Sequence, residues 1–350
     1  MTFIDPALAD PDAAHRLVPP PVTGDRIGND DLELVPTHGV GRGQVSFDFP
    51  GVSIGTAEYA EGPTGATVLA FDRGMRTSVD ARGGAIGIIG RYEGVNDAIC
   101  FAGGSAYGLA AATGVDEELL ARAEGRVGWQ ALRSTSGAVI YDLAARPTGI
   151  TPDAALGRAA LRAARTDSVA VGRVGAGVSA SAGKIDPSRT EFSGQGAAFL
   201  RIGEIRILVV TVVNPVGVIL DRSGAVVRGN YDAVTGERRH PFDDYEQALA
   251  AGIAPTTSSG NTTVTAVVTN VALDDKELRL FARQVHSSMH RAIQPFHTNH
   301  DGDTLFALTT DEVTLPPAGS TRLGEQAVNS IALATVASEV AWDAVLRAAT

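Results

Sequence analysis

Gly260-Asn261-Thr262-Thr263-Val264-Thr265-Ala266-Val267-Val268-Thr269-Asn270 is the stretch whose reading decides the fold. From Thr262 onward it is dense in β-branched residues, which pack well on a pleated surface and predict a buried strand. Gly260 and Asn261 stand in front of it, a turn-prone pair that leads into a strand starting on a hydroxyl. Such a junction suits self-cleavage. The pair lets the backbone strain the Asn261–Thr262 amide, the Thr262 hydroxyl attacks the preceding carbonyl, and hydrolysis of the ester frees a terminal threonine. An α-amine titrates near 8, about two units below a lysine, so a terminal threonine carries its own base. An ordinary capped turn uses the same residue types, and this stretch alone leaves both readings open.

Downstream, Asp274 with Glu277 three residues on forms a capping start for a helix. Leu278, Phe281, Ala282, Val285, Met289 and Ile293 then fall on one helical face. A loop at 295–302, a strand at 303–310 and a final helix at 325–348 complete a strand-helix-strand-helix order. Upstream, short apolar runs predict strands at 66–71, 84–90, 136–142, 205–213 and 216–221, with helices at 105–124 and 152–165. The Asn214-Pro215 break separates two strands. The class is α/β or α+β, and the Pro- and Asp-rich residues 1–40 read as an extended arm.

The chain has 350 residues, enough for a large core. Its 29 basic and 40 acidic residues give a net charge of -11, which argues against nucleic acid as the partner. No run approaches the roughly 20 apolar residues of a membrane span. Cys100 has no second cysteine to pair with, and the N-terminus lacks the basic start of a signal peptide, so a cytoplasmic protein is expected. Every basic residue except Lys184 and Lys276 is arginine. Lys276, beside Asp274 and Asp275, reads as a solvated helix start. Lys184, between Gly183 and Ile185 in a run of small residues, would be a compact, titratable ammonium.

Three other motifs compete. Residues 177–184, GVSASAGK, have one residue too many between the glycines for a phosphate loop, and Ile185 replaces the hydroxyl that would hold magnesium. Residues 103–107 put Tyr107 where a nucleophile elbow needs glycine. His286 and His290, four apart, with His297, His300, Asp301 and Asp303, offer zinc-ligand types, although Ser287 stands where the zinc-peptidase glutamate belongs. A zinc hydrolase built on His286, His290, His297 and Asp301 is therefore the alternative from another class.

The segments FAGGSAYGLAAATGV (101–115), GRVGAGVSASAGKID (172–186), VVNPVG (212–217), GNTTVTAVVTN (260–270) and QVHSSMHRAIQPFHTNHDGDTLFALTT (284–310) change that balance. In this order they resemble the N-terminal-nucleophile hydrolases related to D-aminopeptidase DmpA, the β-peptidyl aminopeptidases and ornithine acetyltransferase. The resemblance runs from about residue 30 to the C-terminus and is nearest to the nylon-hydrolase branch. It implies an α+β, four-layer αββα domain over 41–350, cut between Asn261 and Thr262 into fragments 1–261 and 262–350. It also implies endo-cleavage of linear oligoamides such as 6-aminohexanoate oligomers, with an aminopeptidase of the DmpA or β-peptidyl type as the nearest alternative. By resemblance, Thr262 matches the nucleophile and Asn214 an oxyanion-stabilising amide. Tyr141 matches a further donor near that oxygen, Lys184 a lysine beside the nucleophile, and Asp301 with Asp303 the acidic pair that orients the threonine. No cofactor or metal is called for, and the family implies a homo-oligomer, a tetramer.

Overall fold

The computed structural model describes residues 17–124, 126, 128–129, 132–253, 260–315 and 325–350. Residues 1–16, the first part of the arm, lie outside them. Residues 17–40 run over the surface and are pinned there: Val18 N–H donates to Thr190 O at 2.8 Å, and Arg26 Nη1 to Leu143 O at 2.7 Å.

The β-branched stretch forms a strand, Thr262–Val271, in which all ten residues are buried. It is an interior strand of a mixed sheet. In chain order the strands are β1 (Val52–Tyr59), β2 (Thr64–Ala81), β3 (Ile88–Ile89), β4 (Glu93–Ala102), β5 (Thr135–Val139), β6 (Gly194–Ile202), β7 (Ile205–Asn214), β8 (Thr262–Val271) and β9 (Thr304–Val313). Their order is β6-β7-β8-β9-β2-β4-β5-β3, with β1 also beside β2. β7 runs antiparallel to β8, whereas β8 and β9 are parallel.

β2 belongs to two layers. Thr64 to Phe71 pair with β1 and Arg76 to Ala81 with β9, and the exposed Asp72, Arg73 and Gly74 between them mark a break in register. The two layers stack face to face. Leu69, Phe71, Ile99 and Phe101 meet Leu208, Val210, Val264, Ala266, Val268 and Phe306 in one buried cluster.

The outer faces are covered by helices. α1 (Ala110–Arg122) and α2 (Ala154–Arg162) pack on Ala66, Val68 and Cys100. A further helix, α3 (Pro241–Ala250), lies outside these layers. α4 (Asp275–Ser288) and α5 (Glu325–Arg347) pack on Ile207, Val209, Val267 and Leu305. The result is the αββα sandwich, and each large aliphatic so buried contributes roughly 1.5–3 kcal/mol. Alternation along β8 decides the rest: Val264, Ala266 and Val268 point between the sheets, whereas Val267 and Val271 point to the helices. Thr262 has the parity of the first set, so its hydroxyl opens at the end of the inter-sheet space.

The Asp274–Glu277 capping box forms as expected. Several boundaries differ. The helix expected at 105–124 starts as a 3-10 turn, Ser105–Leu109. The strand expected at 84–90 shrinks to Ile88–Ile89, because Gly84 and Ala85 give their N–H groups to Thr298 O and Asp301 O. The strand expected at 136–142 ends at Val139, before Tyr141. Ile293 is not on the helical face; it follows a 3-10 turn and lies in the short strand Ile293–Gln294, still buried. Among the described residues, no helix is long and apolar enough to cross a membrane.

Candidate active site

Thr262 opens β8 directly opposite Asn214, the last residue of β7. The amide in front of it is strapped down by the strand order. Pairing of β8 with β9 extends backward as a parallel bridge between Asn261 and Asp301. Asn261 N–H donates to His300 O at 3.2 Å, and Gly302 N–H donates to Asn261 O at 2.8 Å. The Thr262 hydroxyl donates to the same Asn261 oxygen. Two donors therefore converge on the carbonyl that self-cleavage would attack.

Two glycines make this approach possible. Gly260 has φ +89°, and a Cβ there would lie 2.2 Å from the Tyr141 ring. A Cβ on Gly302 would sit 2.7 Å from Thr262 Oγ1. Neither position accepts a side chain without displacing the junction.

Asn214 is oriented by its neighbours. Its Oδ1 accepts from Ser181 N–H at 3.0 Å and from Lys184 Nζ at 2.8 Å, and its Nδ2 donates to Tyr141 O at 3.0 Å. With two donors on one side and a carbonyl on the other, only one orientation of the amide works, and one N–H of Nδ2 is left over. Lys184 Nζ also donates to Asn214 O at 3.0 Å. Its ammonium is buried, and burial lowers its pKa from 10.5 to about 7 despite the opposing charges of Asp301, Asp142 and Asp303. A neutral Lys184 that keeps both bonds to Asn214 has its lone pair free to take a proton.

Both carboxylates of the acidic pair are fully buried. Asp303 Oδ1 accepts Thr263 N–H at 2.7 Å, and Oδ2 accepts His297 N–H at 2.9 Å. Burial raises its pKa to about 6. Asp301 accepts Val216 N–H at 3.3 Å and Thr298 N–H at 2.9 Å, and burial followed by the charge of Asp303 raises its pKa. In this uncut chain Asp303 holds the backbone just after Thr262 and Asp301 holds that of Val216 and Thr298; the described hydrogen bonds of neither carboxylate go to the Thr262 hydroxyl. The described contacts of Tyr141 are likewise its carbonyl on Asn214 and its ring against Gly260, not its hydroxyl.

The histidines do not assemble as ligands. Among the described residues no group of three or more His, Cys, Asp and Glu side chains is disposed to hold a metal ion. His286 and His297 meet edge to face at 4.3 Å between ring centres, and His290 and His297 at 4.7 Å. Asp301 is turned to the two backbone N–H groups instead.

Residues 46–350 match Peptidase family S58. The chain belongs to that family. A 6-aminohexanoate-oligomer endohydrolase of Paenarthrobacter ureafaciens is 58% identical over 348 residues, covering 99% of this chain and 97% of the relative. A β-aminopeptidase of Burkholderia sp. matches with a TM-score of 0.60 at 20% identity over 89% of this chain and 88% of its own. An L-aminopeptidase D-Ala-esterase/amidase of Ochrobactrum anthropi, described as a variant of the Ntn hydrolase fold, matches with a TM-score of 0.59 at 15% identity over 93% and 90%. This S58 chain is a hydrolase with the N-terminal-nucleophile fold.

The fold draws Thr262, Asn214, Lys184, Tyr141, Asp301 and Asp303 together from five separated segments. Other contributors carried no signal in the sequence: Gly302 and Ser181 act through backbone N–H groups, which any residue has. His297 was visible only as a possible zinc ligand, yet its Nδ1 lies 3.0 Å from Asp303 Oδ2.

Proposed function

We propose that this chain is a self-processing N-terminal-threonine amidohydrolase that cuts linear oligoamides internally, 6-aminohexanoate oligomers among them. The observation that carries the reading is the convergence of Gly302 N–H and the Thr262 hydroxyl on the Asn261 carbonyl oxygen. In the precursor, Thr262 Oγ1 attacks the Asn261 carbonyl carbon as neutral Lys184 takes the hydroxyl proton, and the developing oxyanion stays on Gly302 N–H. Collapse returns that proton to the leaving nitrogen, breaks the C–N bond, transfers the acyl group to oxygen and leaves the amine on Thr262. Water then hydrolyses the ester and frees the Asn261 carboxylate.

In the mature protein the same hydroxyl attacks the substrate amide. Its proton passes to the new α-amine or to neutral Lys184, and the leaving amine takes it up. Asn214, paired with Thr262 across β7 and β8, gives its spare N–H to the substrate oxyanion and stabilises it. Water releases the acyl group in a second step. The 58% identity to an endohydrolase supports the oligoamide substrate. Cytoplasmic placement and assembly as a homotetramer belong to the same reading, and sedimentation tests the second.

A denaturing gel with intact-mass measurement tests the core claim. Active protein gives two fragments, the smaller starting at Thr262, and Thr262→Ala gives one continuous, inactive chain. Active protein that is continuous overturns the reading. An N-acetylated oligomer separates the S58 alternatives, since an endohydrolase cleaves it and an aminopeptidase leaves it intact.

A further inference from the structure

Behind Asp303 lies a buried chain of groups that the proposed chemistry does not use. Asp80 Oδ2 lies 2.9 Å from His286 Nδ1, the His286 ring meets His297, and His297 Nδ1 lies 3.0 Å from Asp303 Oδ2. His286 Nε2 and His297 Nε2 are both buried with no hydrogen-bond partner among the described residues. Leaving two ring nitrogens so placed costs stability, which a core built for packing alone would avoid. His297 also holds φ +59°, a left-handed conformation that turns both its N–H and its ring nitrogen toward one carboxylate oxygen.

We propose that His297 is a positioning residue for Asp303. Its N–H and Nδ1 fix Oδ2, which leaves Oδ1 on Thr263 N–H and sets the start of β8 so that the Thr262 hydroxyl meets the Asn261 carbonyl. The inference rests on the self-processing reading. The groups facing this pair are Asp80 at the end of β2, Arg82 just past it, His286 from α4, His290 just beyond it, and Asp301 and Lys184 at the site. Burial holds His297 neutral, its pKa lowered to about 3, so Nδ1 carries the ring proton and donates when Asp303 is ionised, and the other tautomer's bare Nδ1 accepts when Asp303 carries the proton. Removing the ring therefore removes a donor that favours the carboxylate, and the Asp303 pKa rises further.

The test follows appearance of the Thr262 N-terminus against pH in wild type, His297→Gly and His297→Asn. Glycine keeps the backbone N–H and tolerates the positive φ but has no ring; asparagine tolerates the same φ and returns an amide donor near the place of Nδ1. In His297→Gly, processing slows about tenfold and its acidic limb moves about one pH unit upward, and His297→Asn restores both. His297→Ser, which also lacks the ring, replaces the glycine variant if that one does not fold. A limb that stays at the wild-type pH in the ringless variants overturns the positioning role while leaving self-processing intact. Uncut wild type overturns both.

Discussion

Two buried cations near one end of the sandwich are neutralised in opposite ways. Arg146 contacts a carboxylate directly, with Nη2 2.9 Å from Asp142 Oδ1 and both side chains fully shielded. Asp142 is further held by Gly104 N–H at 2.8 Å and Thr64 Oγ1 at 3.2 Å. Lys184 has no carboxylate in contact among the described residues; its hydrogen bonds go to the two neutral oxygens of Asn214, and Asp301, Asp142 and Asp303 act on it only through space. A guanidinium cannot give up its proton at any ordinary pH, so its burial demands a partner. An amine can, and a site that denies it one is built for proton transfer. The pair separates architecture from chemistry among groups that burial alone would class together.

The largest effect expected from this contrast is on rate. Lys184→Met removes the buried amine, and processing and amide turnover fall about 10²–10⁴-fold. Stability at pH 7 stays level or rises, because replacing a poorly solvated charge by an apolar chain of similar length is neutral or favourable. Arginine at 184 keeps the charge but cannot act as a base, so Lys184→Arg stays as slow as the methionine variant across the whole pH range. A Lys184→Arg protein that processes at the wild-type rate removes proton transfer from Lys184.

The mirror-image experiment concerns Asp142. Asp142→Ala leaves Arg146 buried beside an empty space, and the cost is about 3–5 kcal/mol in urea unfolding. In protein that remains folded the acidic limb of cleavage moves to lower pH, because Asp142 no longer raises the Lys184 pKa through space. A loss well under that range would mean that Ile150 O, which also accepts from Arg146, is enough to hold the guanidinium.

How much of this was legible beforehand depended on whether a residue acts through its type or its place. β8 could be read because β-branched residues are needed on both of its faces, one against the other sheet and one against α4 and α5. Lys184 stood out because the chain otherwise uses arginine. β6, which the reading missed, begins Gly194-Gln195-Gly196 and looks like a turn. Gly196 is there because a Cβ would lie 1.8 Å from Ala344 O of α5, so close helix packing, not chain reversal, requires it. β4 was missed too, since Gly94, Asn96 and Asp97 break the apolar pattern. Asn96 and Asp97 are buried and bonded to Ser136 and Arg133 at long sequence separation, which no local window reveals. The capture of Asn261 O by Gly302 depends on register between β8 and β9 and was equally invisible.

The pH dependence of folding separates the lysine from the carboxylate. Unfolded chain holds the Lys184 proton up to 10.5, and folded protein releases it near 7, so unfolded protein binds more protons in that window and stability from this group rises with pH from 7 to 10.5. For Asp303 the folded pKa is about 6 against 3.8, so folded protein binds more protons between them and its contribution falls as pH rises from 4 to 6. Melting temperatures across both windows check this, and Lys184→Met flattens the alkaline rise while leaving the acidic fall in place. A methionine variant with an undiminished alkaline rise would assign that slope to another group.

Lys276 is the control that gives the comparison its meaning. It shares the rarity of Lys184 but sits exposed in the first turn of α4, with Asp274, Asp275 and Glu277 around it. A cation there opposes the helix dipole slightly while its acidic neighbours offset it, and arginine does the same on both counts. Lys276→Arg therefore changes unfolding free energy by no more than about 0.5 kcal/mol and leaves processing at the wild-type rate. Were the variant to slow cleavage as Lys184→Arg does, scarcity of lysine and not burial without a carboxylate partner would be the common factor. The distinction drawn from Arg146 would then fail.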